Sequence, residues 1–397
     1  MIDKKLFRIL RSLVIGGFFY FVACDTVPSG NDSTPTFEKT FGSSGNDIGY
    51  AMLKDGQSFV LAGSLSSSGV SDVLLIKVSA EGDSLWSRQY GTANDDVPQK
   101  IIRLADGSYV VVGYSVNPTS QNSDLLLIHV LSNGNLINLK TIPESGPTRA
   151  MDVVEHTASG ELFISGRQQG LAATRGYISR ITKSGSIVWS RTFGSGGLNS
   201  FTGISTTTGG NLLAIGYKET SEENRDFWIL EVNANGDSLE EYVYGTSGDD
   251  FANGARSMND GTIFLLGNTN VFGDIDGYAL RIDQNGDSLW SRSFGALQED
   301  DLQSVISTSD GGFVLCGFTR SLGVGGDLWL NKISQNGALI WSQHHGGSGF
   351  ESGSDLAEAS DGSLLIIGET SSMGFGGSDI YLIRTNRYGE FNQALPE

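Results

Sequence analysis

The chain has few cysteines and few basic residues, and each scarcity excludes a class of protein. Only two of its 397 residues are cysteine, so a disulfide-rich scaffold is excluded. The 26 Lys and Arg residues are outnumbered by 45 Asp and Glu residues, which gives a net charge of −19. Nucleic-acid binding depends on neutralising phosphates with Lys and Arg, so we expect no nucleic-acid partner. No stretch shows the apolar period of an α-helix, which favours an all-β chain.

Glycine, in contrast, is abundant, with 54 copies, and one of them recurs at a fixed interval. This glycine closes an apolar run and returns every 50 to 53 residues, at Gly63, Gly113, Gly166, Gly216, Gly267, Gly317 and Gly368. Regular spacing over more than three hundred residues is typical of a repeat architecture.

Each repeat predicts four short strands. In the sixth copy these are residues 302–308, 313–318, 328–333 and 339–344, with Asp310-Gly311 and Asn336-Gly337 as turns between them. Asp-Gly and Asn-Gly between apolar runs are strong hairpin signals. Seven units of four antiparallel strands predict a seven-bladed β-propeller, because strand solenoids have much shorter coils.

The chain ends predict how the ring closes. Residues 36–42 match a fourth strand that has no unit before it, while the last unit has room for only a poor fourth strand. We expect this N-terminal segment to pair into the seventh blade, which removes an open sheet edge.

The repeat also resembles a known family. The run from Trp290 to Gly295, then an acidic loop, then the run from Ser309 to Thr319, is similar to the bacterial seven-bladed β-propeller repeat family. Secreted and surface proteins carry that repeat in tandem, and the resemblance covers residues 36–397. It implies a secreted, non-catalytic propeller, with no catalytic residue to carry over.

The first two dozen residues indicate export. Lys4, Lys5, Arg8 and Arg11 precede a short apolar stretch that ends at Cys24. This pattern is typical of a signal peptide over residues 1–23, and Ala23-Cys24 resembles the lipobox of bacterial lipoproteins. We therefore expect a lipidated Cys24, a flexible tether over residues 24–35 and a propeller over residues 36–397, lipid-anchored at the bacterial cell envelope on its periplasmic or outer surface. An uncleaved anchor and a plain signal peptide are the alternatives.

Carboxylates recur beside two loops of each unit, and both loops should open on one face of the propeller. The eleven residues are Asp47, Asp96, Asp250, Asp301 and Glu351 before first strands, and Asp72, Asp124, Asp226, Asp276, Asp327 and Asp379 before third strands. They are expected to accept hydrogen bonds from nearby backbone amides. The alternative is a Ca²⁺ site, for which Asp47, Asp96, Asp250 and Asp301 are weak candidates.

Blade three departs from the repeat by placing three arginines where the other blades have none. Arg149 lies in the first loop, Arg175 replaces the third-strand aspartate, and Arg167 follows the recurring glycine. Arg175 could pair with Asp124 or Asp226 of the adjacent blades. Alternatively, the three guanidinium groups form an anion-recognition site for a carboxylate or sulfate.

Aromatic residues fall into two groups. Four tryptophans share a fourth-strand position and are expected to pack between blades: Trp86, Trp189, Trp290 and Trp341. Tyr114, Tyr217 and Phe272 lie in or beside the second loop and are candidate stacking platforms for a ligand.

Catalytic patterns are scarce, since no two of the four histidines have metal-ligand spacing. The sequence favours a monomeric, non-catalytic binding or scaffolding propeller for a glycan, peptide or protein. The alternative is an extracellular polysaccharide lyase or hydrolase with its site at the axial channel. No cofactor is implied beyond a possible Ca²⁺.

Overall fold

The computed structural model describes residues 34–391 except 68, 208, 222–223, 259 and 284–285. Within these residues the chain forms 28 strands in seven antiparallel four-stranded sheets arranged as a ring, so it is an all-β propeller. No helix in the described part of the chain has the length and apolar character needed to cross a membrane. Residues 1–23, Cys24 and most of the 24–35 segment lie outside the described residues.

The strands follow the repeat, four to a blade. Blades one to four comprise β2 Ile48–Asp55, β3 Ser58–Ser67, β4 Val70–Val78, β5 Ser84–Tyr90; β6 Asp95–Arg103, β7 Tyr109–Val116, β8 Ser123–Val130, β9 Leu136–Ile142; β10 Thr148–Glu155, β11 Leu162–Gln169, β12 Thr174–Ile181, β13 Ile187–Phe193; and β14 Asn199–Thr206, β15 Leu212–Ser221, β16 Asn224–Val232, β17 Ser238–Tyr244. Blades five to seven comprise β18 Asp250–Ser257, β19 Ile263–Thr269, β20 Asp276–Ile282, β21 Ser288–Phe294; β22 Asp300–Ser307, β23 Phe313–Thr319, β24 Asp327–Ile333, β25 Leu339–His345; and β26 Glu351–Glu358, β27 Leu364–Thr370, β28 Asp379–Thr385, with β1 Phe37–Phe41.

The N-terminal strand closes the ring as the sequence predicted. β1 pairs antiparallel with β28 in register Phe37↔Arg384 to Phe41↔Ile380, so the seventh sheet joins the two ends of the propeller. The outer edge of β28 is thereby covered, and an unpaired strand edge is a site for aggregation.

The first strand of every blade carries a β-bulge, and the bulge explains the recurring glycine. In blade six the register shifts between Leu302 and Ser304, opposite Gly317. A Cβ at Gly317 would lie only 1.9 Å from the carbonyl oxygen of Asp301, so this position has no room for a side chain. At Gly368 the corresponding distance to the Ser352 carbonyl is 1.7 Å.

The hydrophobic core lies between the blades. Seven clusters of buried side chains are found in the described residues, each shared by two adjacent blades. The tryptophans reinforce these contacts as predicted: the Trp290 indole N–H donates to the Gln335 carbonyl (3.1 Å), and its ring covers Gly337 of the next blade. Cys316 is fully buried in one cluster, and burial raises the pKa of its thiol.

The propeller has two distinct faces. The loop face carries the loops that lead into each first strand and those that join second to third strands; in blade three these two loops meet where the Gln169 amide donates to the Pro147 carbonyl (2.8 Å). The turn face carries the tight Asp-Gly and Asn-Gly turns. The chain enters at the turn face, because the Lys39 ammonium of β1 donates to Glu81 and Asp83 in a turn of blade one.

Candidate functional site

The seven bulges surround the propeller axis and line a polar cavity of about 430 Å³. The inner strands of all seven blades contribute to the cavity. The bulge residue of each blade faces it, which gives the ring Tyr50, Gln99, Met151, Thr202, Asn253, Gln303 and Ser354.

Two buried aspartates beside this cavity join neighbouring blades. Asp152 accepts the amides of Val153 (2.8 Å) and of Ile204 in blade four (3.0 Å). Asp355 in blade seven accepts the amide of Met52 in blade one (3.1 Å) in the same way. Burial raises the pKa of Asp152. Both carboxylates therefore link adjacent blades through hydrogen bonds to the backbone. No local pattern in the sequence indicates this role.

The aspartates that precede the first strands accept backbone amides, as the repeat suggested. Asp47, Asp96 and Asp250 are fully buried, and each accepts the amide of the residue four positions earlier. Burial raises the pKa of Asp96, and raises that of Asp250 to about 6. In the described part of the chain, no three His, Cys, Asp or Glu side chains lie close enough to form a metal site.

Asp301 does not occupy the repeat position assigned to it. Asp300 takes that place, accepting the Ala296 amide (2.9 Å), and the strand begins there, two residues earlier than the pattern suggested. Asp301 instead accepts the side-chain amides of Asn253 (2.6 Å), Asn268 (3.1 Å) and Gln303 (2.9 Å). Burial raises the pKa of Asp301 to about 6.

The three arginines of blade three lie near the strand ends at the loop face. Arg149 and Arg167 are direct cross-strand partners on β10 and β11. The Arg149 guanidinium stacks on the ring of Tyr114 in blade two, 4.4 Å from its centroid. Arg175 is exposed at the start of β12, opposite Gln168, so strand alternation places its side chain on the other side of the sheet from that of Arg167.

None of these three guanidinium groups has a hydrogen bond or an ion pair to any residue that the structure describes. The expected compensation of Arg175 by Asp124 or Asp226 is not among the ion pairs of this part of the chain. Elsewhere arginines are paired with carboxylates, as in Arg225–Asp249, Arg281–Asp260 and Arg384–Asp361. The blade-three sector is thus a local concentration of unneutralised positive charge on an acidic protein.

The aromatic candidates separate into buried and exposed residues. Tyr217 is only 4% exposed and stacks on Phe251 at 4.3 Å, so it packs between blades and is not a stacking platform. Tyr114 is half-buried beneath Arg149, and Phe272 is 57% exposed.

Apolar side chains at loop tips were missed in the sequence, because single apolar residues in loops carry no periodic signal. Among the described residues, eight large ones project from loops of the loop face, in blades three to seven: Leu171, Leu198, Phe272, Ile275, Leu297, Val324, Met373 and Phe375. Scattered apolar residues are common on protein surfaces, but these share one face of the propeller with the arginines of blade three.

Comparison with known proteins identifies the fold. No protein-family model and no curated protein matches the chain. The Pan2 WD40 domain of Neurospora crassa matches with a TM-score of 0.53 and 9% identity, over 88% of this chain and 92% of that one. The likeness is one of fold alone. Puromycin hydrolase matches with a TM-score of 0.53 and 13% identity over 83% of this chain and 51% of its own, so this chain spans about half the length of that enzyme.

Proposed function

We propose that the chain is a non-catalytic binding propeller whose loop face holds an anionic group of a glycan or peptide at Arg149, Arg167 and Arg175. The observation that carries this proposal is the absence, among the described residues, of any hydrogen bond or ion pair to these three side chains. A propeller presents a broad face, and its fold is compatible with binding or scaffolding.

Like charges directly opposite each other on neighbouring strands destabilise a sheet. Arg149 and Arg167 are such a pair, in a protein where 45 acidic residues could have supplied counter-charges. An anionic ligand removes this repulsion, and the planar guanidinium group matches a carboxylate or sulfate with two parallel hydrogen bonds.

The surroundings supply further contact area. Tyr114 supports the Arg149 guanidinium from below, which reduces the rotamer entropy lost when a ligand binds. Exposed apolar tips such as Leu171 and Leu198 flank the same sector and can cover the apolar part of a ligand.

Localisation belongs to the same proposal. A lipid anchor at Cys24 would hold the protein at the bacterial cell envelope, and no nucleic acid is expected at so acidic a surface.

The proposal is tested by measuring binding to the full chain. The ligands are sulfated oligosaccharides, uronate-bearing oligosaccharides and acidic peptides. Replacing Arg149, Arg167 and Arg175 together by Gln should weaken binding more than tenfold, since a hydrogen bond to a charged group contributes about 1.5–3 kcal/mol. Calorimetry at physiological salt measures the change.

The matched control replaces Arg88 and Arg292 by Gln. Each lies on an outer strand and donates to the carbonyl of the residue before it. The control should bind like the unchanged protein. Equal losses in both variants, or full binding by the triple variant, would contradict an anion site in blade three.

A further inference from the structure

Two carboxylates from adjacent blades converge at the junction of blades five and six. Asp276 begins β20 and Asp300 begins β22, and Gly295 lies between them. A Cβ built on Gly295 would lie 2.2 Å from Asp276 Oδ1 and 2.6 Å from Asp300 Oδ2. Both oxygens therefore point into the same small space, which exists because residue 295 has no side chain.

Asp276 is buried and forms no ion pair with any residue that the structure describes. Asp276 is 7% exposed, and its Oδ1 has no hydrogen-bond donor among the described residues. Asp300, in contrast, accepts the Ala296 amide (2.9 Å) and the Ser321 hydroxyl (2.7 Å). Burying an unpaired carboxylate is costly unless a positive charge or a proton compensates it.

The local charges increase this cost. Asp274 and Asp300 add negative charge beside the buried carboxylate of Asp276.

Carboxylates also meet at other junctions, where Asp327 Oδ1 and Asp379 Oδ1 likewise lack a donor among the described residues but the second oxygen of each carboxylate has a partner. Over Gly346, Asp327 Oδ1 and Glu351 Oε2 each lie 2.6 Å from the Cβ position, but His344 pairs with the other oxygen of Asp327 (2.7 Å). Over Gly42, Asp379 meets Asp47, and the Phe375 amide donates to Asp379 Oδ2 (2.8 Å). Among the described residues Asp276 has neither kind of partner, which makes its junction the best candidate for a ligand.

We propose that Asp276 and Asp300 bind a divalent cation across the junction of blades five and six. All the protein ligands are oxygens, and hard cations such as Ca²⁺ prefer carboxylates, main-chain carbonyls and water. Two carboxylates with the remaining ligands from water predict weak binding, with a Kd of about 0.1–1 mM, as in extracellular Ca²⁺ modules. A bound cation would link blade five to blade six. This proposal does not depend on the arginines in blade three.

This site is tested by thermal unfolding of the full chain at pH 7.5. The protein is first treated with chelator and is then measured with and without CaCl₂. A cation that binds only the folded state with this Kd should raise the melting temperature by about 2–4 °C at 10 mM CaCl₂. Calorimetric titration with CaCl₂ should give the millimolar-range Kd. No change in melting temperature and no heat of binding would overturn the proposal.

The decisive variant is Asp276→Asn, which keeps the shape and removes the charge. It should abolish the Ca²⁺-dependent shift and should be at least as stable as the unchanged protein in chelator. The matched control is Asp124→Asn at the junction of blades two and three, where the facing residue is Thr148 in place of a carboxylate. The control should retain the shift.

Two further results would overturn the proposal. If Asp124→Asn loses the Ca²⁺ response as well, the cation interacts with the acidic surface in general. If lowering the pH to 6 raises the melting temperature while Ca²⁺ does not, a shared proton occupies the space between Asp276 and Asp300. Should Asp276→Asn fail to fold, Asp300→Asn and the titration of the unchanged protein give the same decision.

Discussion

At the scale of single residues, the repeat places the same side chain in the same contact in several blades. Trp290 covers Gly337 of the next blade, and Trp189 covers Gly236 in the same way. His345 stands where most other blades have Phe or Tyr, and its Nε2 lies 2.8 Å from the Gly389 carbonyl, a contact that Tyr90 makes with Gly134 through its hydroxyl. A recurring residue in this chain is therefore mainly a packing residue.

Trp290→Ala should lower the free energy of unfolding by about 3 kcal/mol, because it leaves a cavity between blades five and six and removes the bond to the Gln335 carbonyl. Denaturant unfolding followed by circular dichroism measures the change. Trp290→Phe, which retains most of the buried area, should lose clearly less. Similar midpoints for all three proteins would show that this contact does not stabilise the ring.

At the scale of strands, sequence pattern was informative to within about two residues. The sixth blade was expected at 302–308, 313–318, 328–333 and 339–344, and its strands are Asp300–Ser307, Phe313–Thr319, Asp327–Ile333 and Leu339–His345. Because the first strand begins at Asp300, Asp300 and not Asp301 occupies the repeat position. The bulge that follows was not predicted, because it depends on the neighbouring strand and the ring geometry.

Removing β1 tests the closure of the ring. A protein lacking residues 1–41 should melt roughly 5 °C or more lower and should self-associate, because it loses the packing of Phe37 and Phe41 and exposes the edge of β28. Calorimetry and analytical ultracentrifugation follow the two effects. A protein lacking only residues 1–33 is the control and should remain monomeric, whereas unchanged melting in the shorter protein would contradict closure by β1.

At the scale of the whole molecule, the two faces differ in chemistry and in their relation to the N-terminus. The chain enters at Phe37 on the turn face, whereas the unpaired arginines and exposed apolar tips lie towards the loop face. If Cys24 is lipidated, the turn face lies nearer the membrane and the loop face points away from it. The proposed ligand site would then be accessible to molecules outside the membrane.

Lipidation itself is tested by phase separation in a detergent that clouds on warming. The full chain expressed in a bacterium should enter the detergent phase, because several acyl chains give stable membrane binding. Cys24→Ser should remain in the aqueous phase if the leader is cleaved. Mass spectrometry of the N-terminal peptide identifies the lipid, and an unmodified Cys24 in the full chain would disprove the anchor.

The sequence alone determined the number of blades, the four strands in each blade and the closing strand, because turns and apolar runs are local patterns that a repeat copies unchanged. Only the tertiary structure decided that Tyr217 is buried, that no described residue pairs with the arginines of blade three, and that Asp276 and Asp300 converge over Gly295. Each of these features depends on contacts between neighbouring blades. The sequence separates the contacting residues by a long stretch of chain, so no local pattern could show them.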